Sequence, residues 1–285
     1  VARDGGARVT NNGAGPAAQY SLRSLGGLAC EWSNGLTRSP DGTITLVGVE
    51  VMILPEGTSQ YERWIAGYLD GSPSCRGEPV YCDSNELIGT TWVSITATAT
   101  TGEGFADYAA EVRDRVTNAG SGAAPWVPET TLGPGGCGGI IADAAMSTAL
   151  GIDLLGGPPH AGGWSIQAAA DANFGTLQCI WYARDSDHPV SFLAALPGGA
   201  WAWKEAAPDL TNPSVPVALD VPGLAAEDEA WIRCTDLAAP CIVDLILGND
   251  WIEFRVWNED QVNVPVVEPR TGAVAIATAI VAGRP

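Results

Sequence analysis

One spacing pattern occurs twice in this chain, and it constrains the fold more than any other feature. From Cys82, a glycine stands seven residues on at Gly89 and a tryptophan ten on at Trp92; from Cys241, Gly248 and Trp251 stand at the same offsets. Each of these cysteines closes a Cys-x6-Cys element that begins at Cys75 or Cys234. Upstream, Leu28-Ala29-Cys30-Glu31-Trp32 matches Leu177-Gln178-Cys179-Ile180-Trp181, and Leu54-Pro55-Glu56-Gly57 matches Leu196-Pro197-Gly198-Gly199. Recurrence of residue types at fixed offsets marks a duplicated unit. The 285 residues therefore read as two diverged copies of one domain, residues 1–122 and 133–285, joined by a proline-rich linker over 123–132.

Within each copy the periodicity is mixed. Thr43 to Leu54, Trp92 to Thr98 and Trp251 to Trp257 alternate apolar with polar residues, the period-2 pattern of half-buried strands. Ser59-Gln60-Tyr61-Glu62 has the form of a capping box, and Tyr61, Trp64, Ile65 and Tyr68 follow at helical spacing. Phe105, Tyr108, Ala109, Val112 and Val116 form a second helical stripe, with Ala273 to Ala282 as its counterpart in the other copy. A third helix is expected over Ile140 to Leu150, ending at Gly151. Helices beside antiparallel strands give an α+β class: two tandem repeats of an antiparallel sheet flanked by helices.

Seven cysteines divide as Cys30, Cys75 and Cys82 in the first copy and Cys137, Cys179, Cys234 and Cys241 in the second. Four cysteines allow three pairings. The simplest joins Cys75 to Cys82 and Cys234 to Cys241 as short clamps and leaves Cys137 to tie the opening helix to the strand at Cys179. Zinc ligation would require knuckle spacings and histidine partners, so no metal site is expected. Structural disulfides place the chain in an oxidising, extracellular or cell-surface setting. Thirty-three acidic against fourteen basic residues give a net charge of −19, which repels phosphate backbones and excludes nucleic acid as a partner. No apolar run is long enough to span a bilayer.

Gly136-Cys137, a helix ending Ala149-Leu150-Gly151, then Cys179-x-Trp181 and a final Cys-x6-Cys before a tryptophan strand resemble the small disulfide-bridged domains of actinobacterial cell-envelope lipoproteins. The resemblance covers the second copy, and the first copy without its opening helix. It implies an exported, surface-associated protein, a doubled form of that domain, and no catalytic residues.

Candidate chemistry is sparse. Gly133-Pro134-Gly135-Gly136-Cys137-Gly138 fits a dinucleotide-turn pattern, but no apolar strand leads into it, and no cofactor is expected. Asp185-Ser186-Asp187-His188 sets carboxylates beside one of two histidines; the other, His160, follows Pro158-Pro159 in a glycine-rich stretch. Both read as loops. Eleven tryptophans exceed the four phenylalanines. Trp32 with Trp181, Trp92 with Trp251, and Trp64 with Trp201 or Trp203 are expected as equivalent core pairs. Trp126, Trp164, Trp231 and Trp257 remain as candidate ligand or interface residues. The expectation is a non-enzymatic binding or assembly module of the cell envelope, with a protein partner or self-association; the alternative is a carbohydrate-binding module or wall-active hydrolase.

One cysteine breaks the symmetry. Cys179 stands 42 residues after Cys137, and the same step back from Cys30 falls before Val1. The first copy is therefore expected to be N-terminally incomplete, with Cys30 unpaired or externally paired and its opening helix supplied by a preceding segment or another chain.

Overall fold

The computed structural model describes residues 20–33, 48–65, 71–78, 80–99, 101–119, 129–132, 135–157, 165–184, 189–210, 214–234, 240–257 and 267–284. The elements run α1 (Ser21–Ser24), β1 (Leu28–Ser33), β2 (Gly48–Leu54), α2 (Thr58–Trp64), β3 (Ser74–Arg76), β4 (Val80–Ile88), β5 (Thr91–Ala99) and α3 (Phe105–Ala119). After these come α4 (Gly136–Ile140), α5 (Asp143–Leu150), β6 (Leu154–Gly157), α6 (Ile166–Phe174), β7 (Leu177–Ala183), β8 (Pro189–Leu196) and α7 (Ala200–Ala206). The chain continues through β9 (Val217–Ala218), β10 (Glu229–Arg233), β11 (Cys241–Leu247), β12 (Asp250–Val256) and α8 (Pro269–Ala282). The class is α+β, with two antiparallel sheets ordered β1-β2-β5-β4-β3 and β6-β7-β8-β12-β11-β10-β9.

The sequence repeat is a repeat of strand register. Cys30 faces Val51 across β1 and β2, as Cys179 faces Leu193 across β7 and β8. Trp92 faces Leu54 and Trp251 faces Leu196. Cys82 faces Ala97 and Cys241 faces Val256. The β4–β5 and β11–β12 hairpins turn on Gly89-Thr90 and Gly248-Asn249, and the two glycines hold φ of +62° and +61°. A two-residue hairpin turn needs that left-handed backbone, which explains why glycine recurs at this offset from cysteine. A turn into a helix follows Leu54-Pro55 and Leu196-Pro197 alike, with Gly57 and Gly199 at the two N-caps.

Each sheet carries its own core. In the second unit α8 lays Ala273, Ile276, Ala277 and Ile280 on Val243, Leu245 and Phe254, with Met146 and Leu150 of α5 beside them. A β-carbon at Gly272 would come within 2.7 Å of Leu150, so glycine is what lets α8 and α5 approach. In the first unit Phe105 and Ala109 of α3 cover Val51, Val93 and Ile95. The opposite face of that sheet buries Leu54 and Trp92 under Leu22, Ile65, Ile166, Ala169 and Ala170. The compact units follow accordingly: α6 packs with the first unit, the one that carries β1–β5, whereas the repeat boundaries run it with 133–285. Tyr20 packs in the second unit, edge-on to Trp201 at 5.5 Å and near Trp251 at 5.9 Å.

Several local expectations are corrected. The capping box does not form: α2 starts at Thr58 behind Gly57, with no side-chain cap, and Ser59 Oγ donates to Gln60 Oε1 instead. The single helix expected over 140–150 is two, because Ile141 is extended and Ala142 leads into α5 from the β region. Trp64 has no tryptophan counterpart. Counting from the N-cap glycines, Trp203 corresponds to Tyr61, and both meet the sheet tryptophan edge-on, Trp203 against Trp251 at 5.6 Å and Tyr61 against Trp92 at 5.7 Å. The alternation in β12 does not mark a half-buried strand, since Asp250 and Glu253 are fully buried.

Candidate functional site

The second unit shows how the repeat closes its β7 side. Cys137 of α4 is bonded to Cys179 of β7, and Asp143 of α5 accepts the Trp181 indole N–H at 2.9 Å. β6 then pairs with β7, placing Gly156 opposite Trp181. A β-carbon on Gly156 would fall 2.2 Å from Trp181 Nε1 and 2.4 Å from Asp143 Oδ1, so this strand reaches the indole because it lacks a side chain there. Cys179 and Trp181 are left with no solvent exposure.

The first unit presents the same face without that cover. Leu28, Cys30 and Trp32 pair with Ile53, Val51 and Val49, so they share the face on which α3 lies. Leu28 is 47% exposed and Trp32 36%. Among the described residues, no strand pairs with the outer edge of β1. The neighbouring stripe on α3 is also half-open: Tyr108 and Val112 are partly buried, where Ile276 and Ile280, the matching positions of α8, are buried completely. Burial, then the nearby Cys30 thiol and Glu111, raise the Tyr108 phenol above its ordinary value. Trp32 is thus corrected from a core partner of Trp181 to an exposed residue of the same register.

A second constellation lies on the opposite face of the second sheet. Arg233 Nη2 stands 3.1 Å from Asp244 Oδ2 and 3.5 Å from Glu253 Oε2, and Arg255 Nη2 is 3.2 Å from Glu253 Oε1. Trp251 donates its indole N–H to Asp244 at 3.0 Å. The matching positions of the first unit are neutral: Asn85 accepts the Trp92 indole at 3.2 Å, and Ser94 stands where Glu253 does. The fold therefore needs an acceptor for the sheet tryptophan, and the charges are particular to the second unit.

Desolvation raises the Asp244 carboxyl from an ordinary 3.8 to about 7; Arg233 opposes this and Glu253 adds to it. A carboxyl whose folded value is raised binds its proton more tightly when folded, so its contribution is fully present below about pH 4 and is lost as pH rises through about 7. The expected outcome is that the stability of the native chain falls relative to Asp244→Asn between pH 4 and pH 8, measured by urea denaturation at each pH. A difference that stays flat across that range, or grows in the native chain's favour as pH rises, contradicts the assignment.

Of the residues singled out in the sequence, Cys75–Cys82, Cys137–Cys179 and Cys234–Cys241 are disulfides, and Cys30 lies outside them on β1. Trp231 is half-buried, donates to Glu229 Oε2 at 3.0 Å and lies 6.3 Å from Trp203. Trp257 packs, partly buried, against the core of the second unit. Trp126, Trp164, His160 and the stretch Asp185–His188 lie outside the described residues. Among the described residues no group of three or more His, Cys, Asp or Glu side chains is placed to hold a metal, and no helix is long and apolar enough to cross a membrane. Sequence reading missed the buried charges, although Asp244 interrupting the apolar run Cys241-Ile242-Val243-Asp244-Leu245-Ile246-Leu247 was a visible signal. No family model, curated protein or solved structure matches the chain.

Proposed function

We propose that the chain is an exported, non-catalytic binding module that assembles with a partner at the cell envelope through its first unit. One observation carries this reading: Trp32 stands exposed on β1, beside the exposed Leu28, whereas its counterpart Trp181 on β7 is fully buried. Large apolar side chains grouped at an open sheet edge are the usual mark of an interaction surface. The three disulfides fit an oxidising compartment. The net charge of −19 points to a partner that is not a nucleic acid.

The test is co-sedimentation with cell-envelope fractions of the producing organism, beside a turnover screen. The expected result is saturable binding with no hydrolysis of glycan, ester or peptide. Chain that stays in the supernatant at every concentration contradicts the reading, as does turnover abolished by Asp185→Ala or His188→Ala.

A further inference from the structure

The second unit contains the template for what the first unit binds. There, one contiguous segment, Gly136–Gly157, covers β7 by three devices: the helices α4 and α5 on its face, a carboxylate on the Trp181 indole, and a strand along its edge with glycine opposite that tryptophan. β1 has the register and the tryptophan that such a segment requires, and among the described residues no strand pairs with its outer edge. Trp32 is exposed where its counterpart Trp181 is fully buried, and Leu28 is exposed where its counterpart Leu177 is half-buried.

We propose that the outer edge of β1, with Leu28 and Trp32, is the docking site for a helix-and-strand segment of a partner polypeptide built like Gly136–Gly157. Strand addition to an open sheet edge is an established recognition mode, in which backbone hydrogen bonds supply affinity and side-chain pockets supply selectivity. The template states the selectivity. The partner strand runs antiparallel to β1 and carries glycine opposite Trp32, because a β-carbon at the equivalent Gly156 would overlap the indole. Its helix carries a carboxylate that accepts the Trp32 N–H, as Asp143 does for Trp181. Docking in the register of the template pairs the outer edge of β1 at Glu31–Ser33 and needs no covalent step. A second copy of this chain is a poor occupant, since two bodies of net charge −19 repel each other. The inference rests on the binding-module reading and adds the chemistry of the partner to it.

The probe is a synthetic peptide of residues 142–157, which carries Asp143 and Gly156 without α4, added to the whole chain, with a Gly156→Val version as control. Backbone hydrogen exchange over Glu31–Ser33, the positions matching Ile180–Tyr182, is the readout. The expected result is exchange slowed by about tenfold or more with the first peptide and unchanged with the second. The slowing disappears in Trp32→Glu and in Leu28→Glu chains, two exposed positions where a charge leaves the core intact. No slowing at saturation, or equal slowing by both peptides, overturns the proposal. So does light scattering at twice the chain mass with β1 already protected, which makes a second copy the occupant. A Trp32→Glu chain that still binds envelopes overturns the docking site and leaves the proposed function standing; loss of envelope binding by the native chain does the reverse.

Discussion

Replacing Arg233 with methionine is expected to lower the stability of the second unit by about 3–5 kcal/mol at pH 8, the cost of leaving a buried charge without its partner. Arg233 has 2% of its side chain exposed, and Asp244 and Glu253 have none. Methionine fills much of the volume of the arginine stem but supplies no donor. Water cannot take over, since neither carboxylate reaches it. Arg255 still holds Glu253, so the larger part of the loss falls on Asp244. The loss shrinks at pH 5, because Asp244 is then protonated in the folded chain and little buried charge is left to compensate. Neutralising the carboxylates in the same background, with Asp244→Asn and Glu253→Ser, recovers at least half of the deficit. The first unit already folds around Asn85 and Ser94 at those positions. Denaturant unfolding of the three chains at both pH values decides the matter. A single substitution that costs under about 1 kcal/mol, or a triple substitution no better than the single, shows that the pairing contributes little.

That network also marks where sequence reading stops. Alternation in β12 identified the strand and the face carrying Ile252, Phe254 and Val256, because a period of two separates the two faces of any sheet. The pattern does not say whether the polar face meets water. Glu253 and Asp250 look solvent-facing by type and are buried, held by Arg233, Arg255, Thr131 and the Gly198 amide. Apart from Arg255, two residues from Glu253, their partners come from strands and turns distant in sequence, so no local window contains the whole network. The hairpin glycines and the short cysteine clamps were legible for the opposite reason. A left-handed turn and a cross-strand disulfide are decided within a few residues, and duplication displayed each of them twice.

The exposed side of β1 was half-legible. The shared motif places Trp32 and Trp181 in the same register, which predicts one face for both and says nothing of how far each is buried. Register fixes which face a residue takes, whereas burial depends on what lies over that face. α6 illustrates the same limit. Ile166–Phe174 is short, rich in alanine and weakly patterned, and it packs with the first unit although its sequence neighbours β7 and β8 belong to the second. Such an exchange is a tertiary fact, without a signature in composition or period.

Breaking the Cys137–Cys179 disulfide by Cys137→Ser is expected to cost about 4 kcal/mol, against about 2.5 kcal/mol for opening either short clamp, since restraint of the unfolded chain grows with the loop enclosed. The link spans 42 residues and the clamps span 7 each. Its loss also acts on the folded state. α4 has five residues and three glycines, too few turns to hold its own helix, so the disulfide is its chief attachment to β7. Once α4 loosens, Asp143 and Gly156 retain Trp181 less well, and the second unit takes on at β7 the open face that the first shows at β1. The accompanying signs are faster amide exchange in β6 and β7 and a red-shifted tryptophan emission, both absent from Cys75→Ser. A Cys137→Ser/Cys179→Ser chain should show the same loss, which separates the missing bond from any reaction of the exposed thiol. If both chains unfold within about 1 kcal/mol of the native protein, with β6 and β7 still protected, then α5 and β6 hold by packing alone. The disulfide would then not be what closes this side of the repeat.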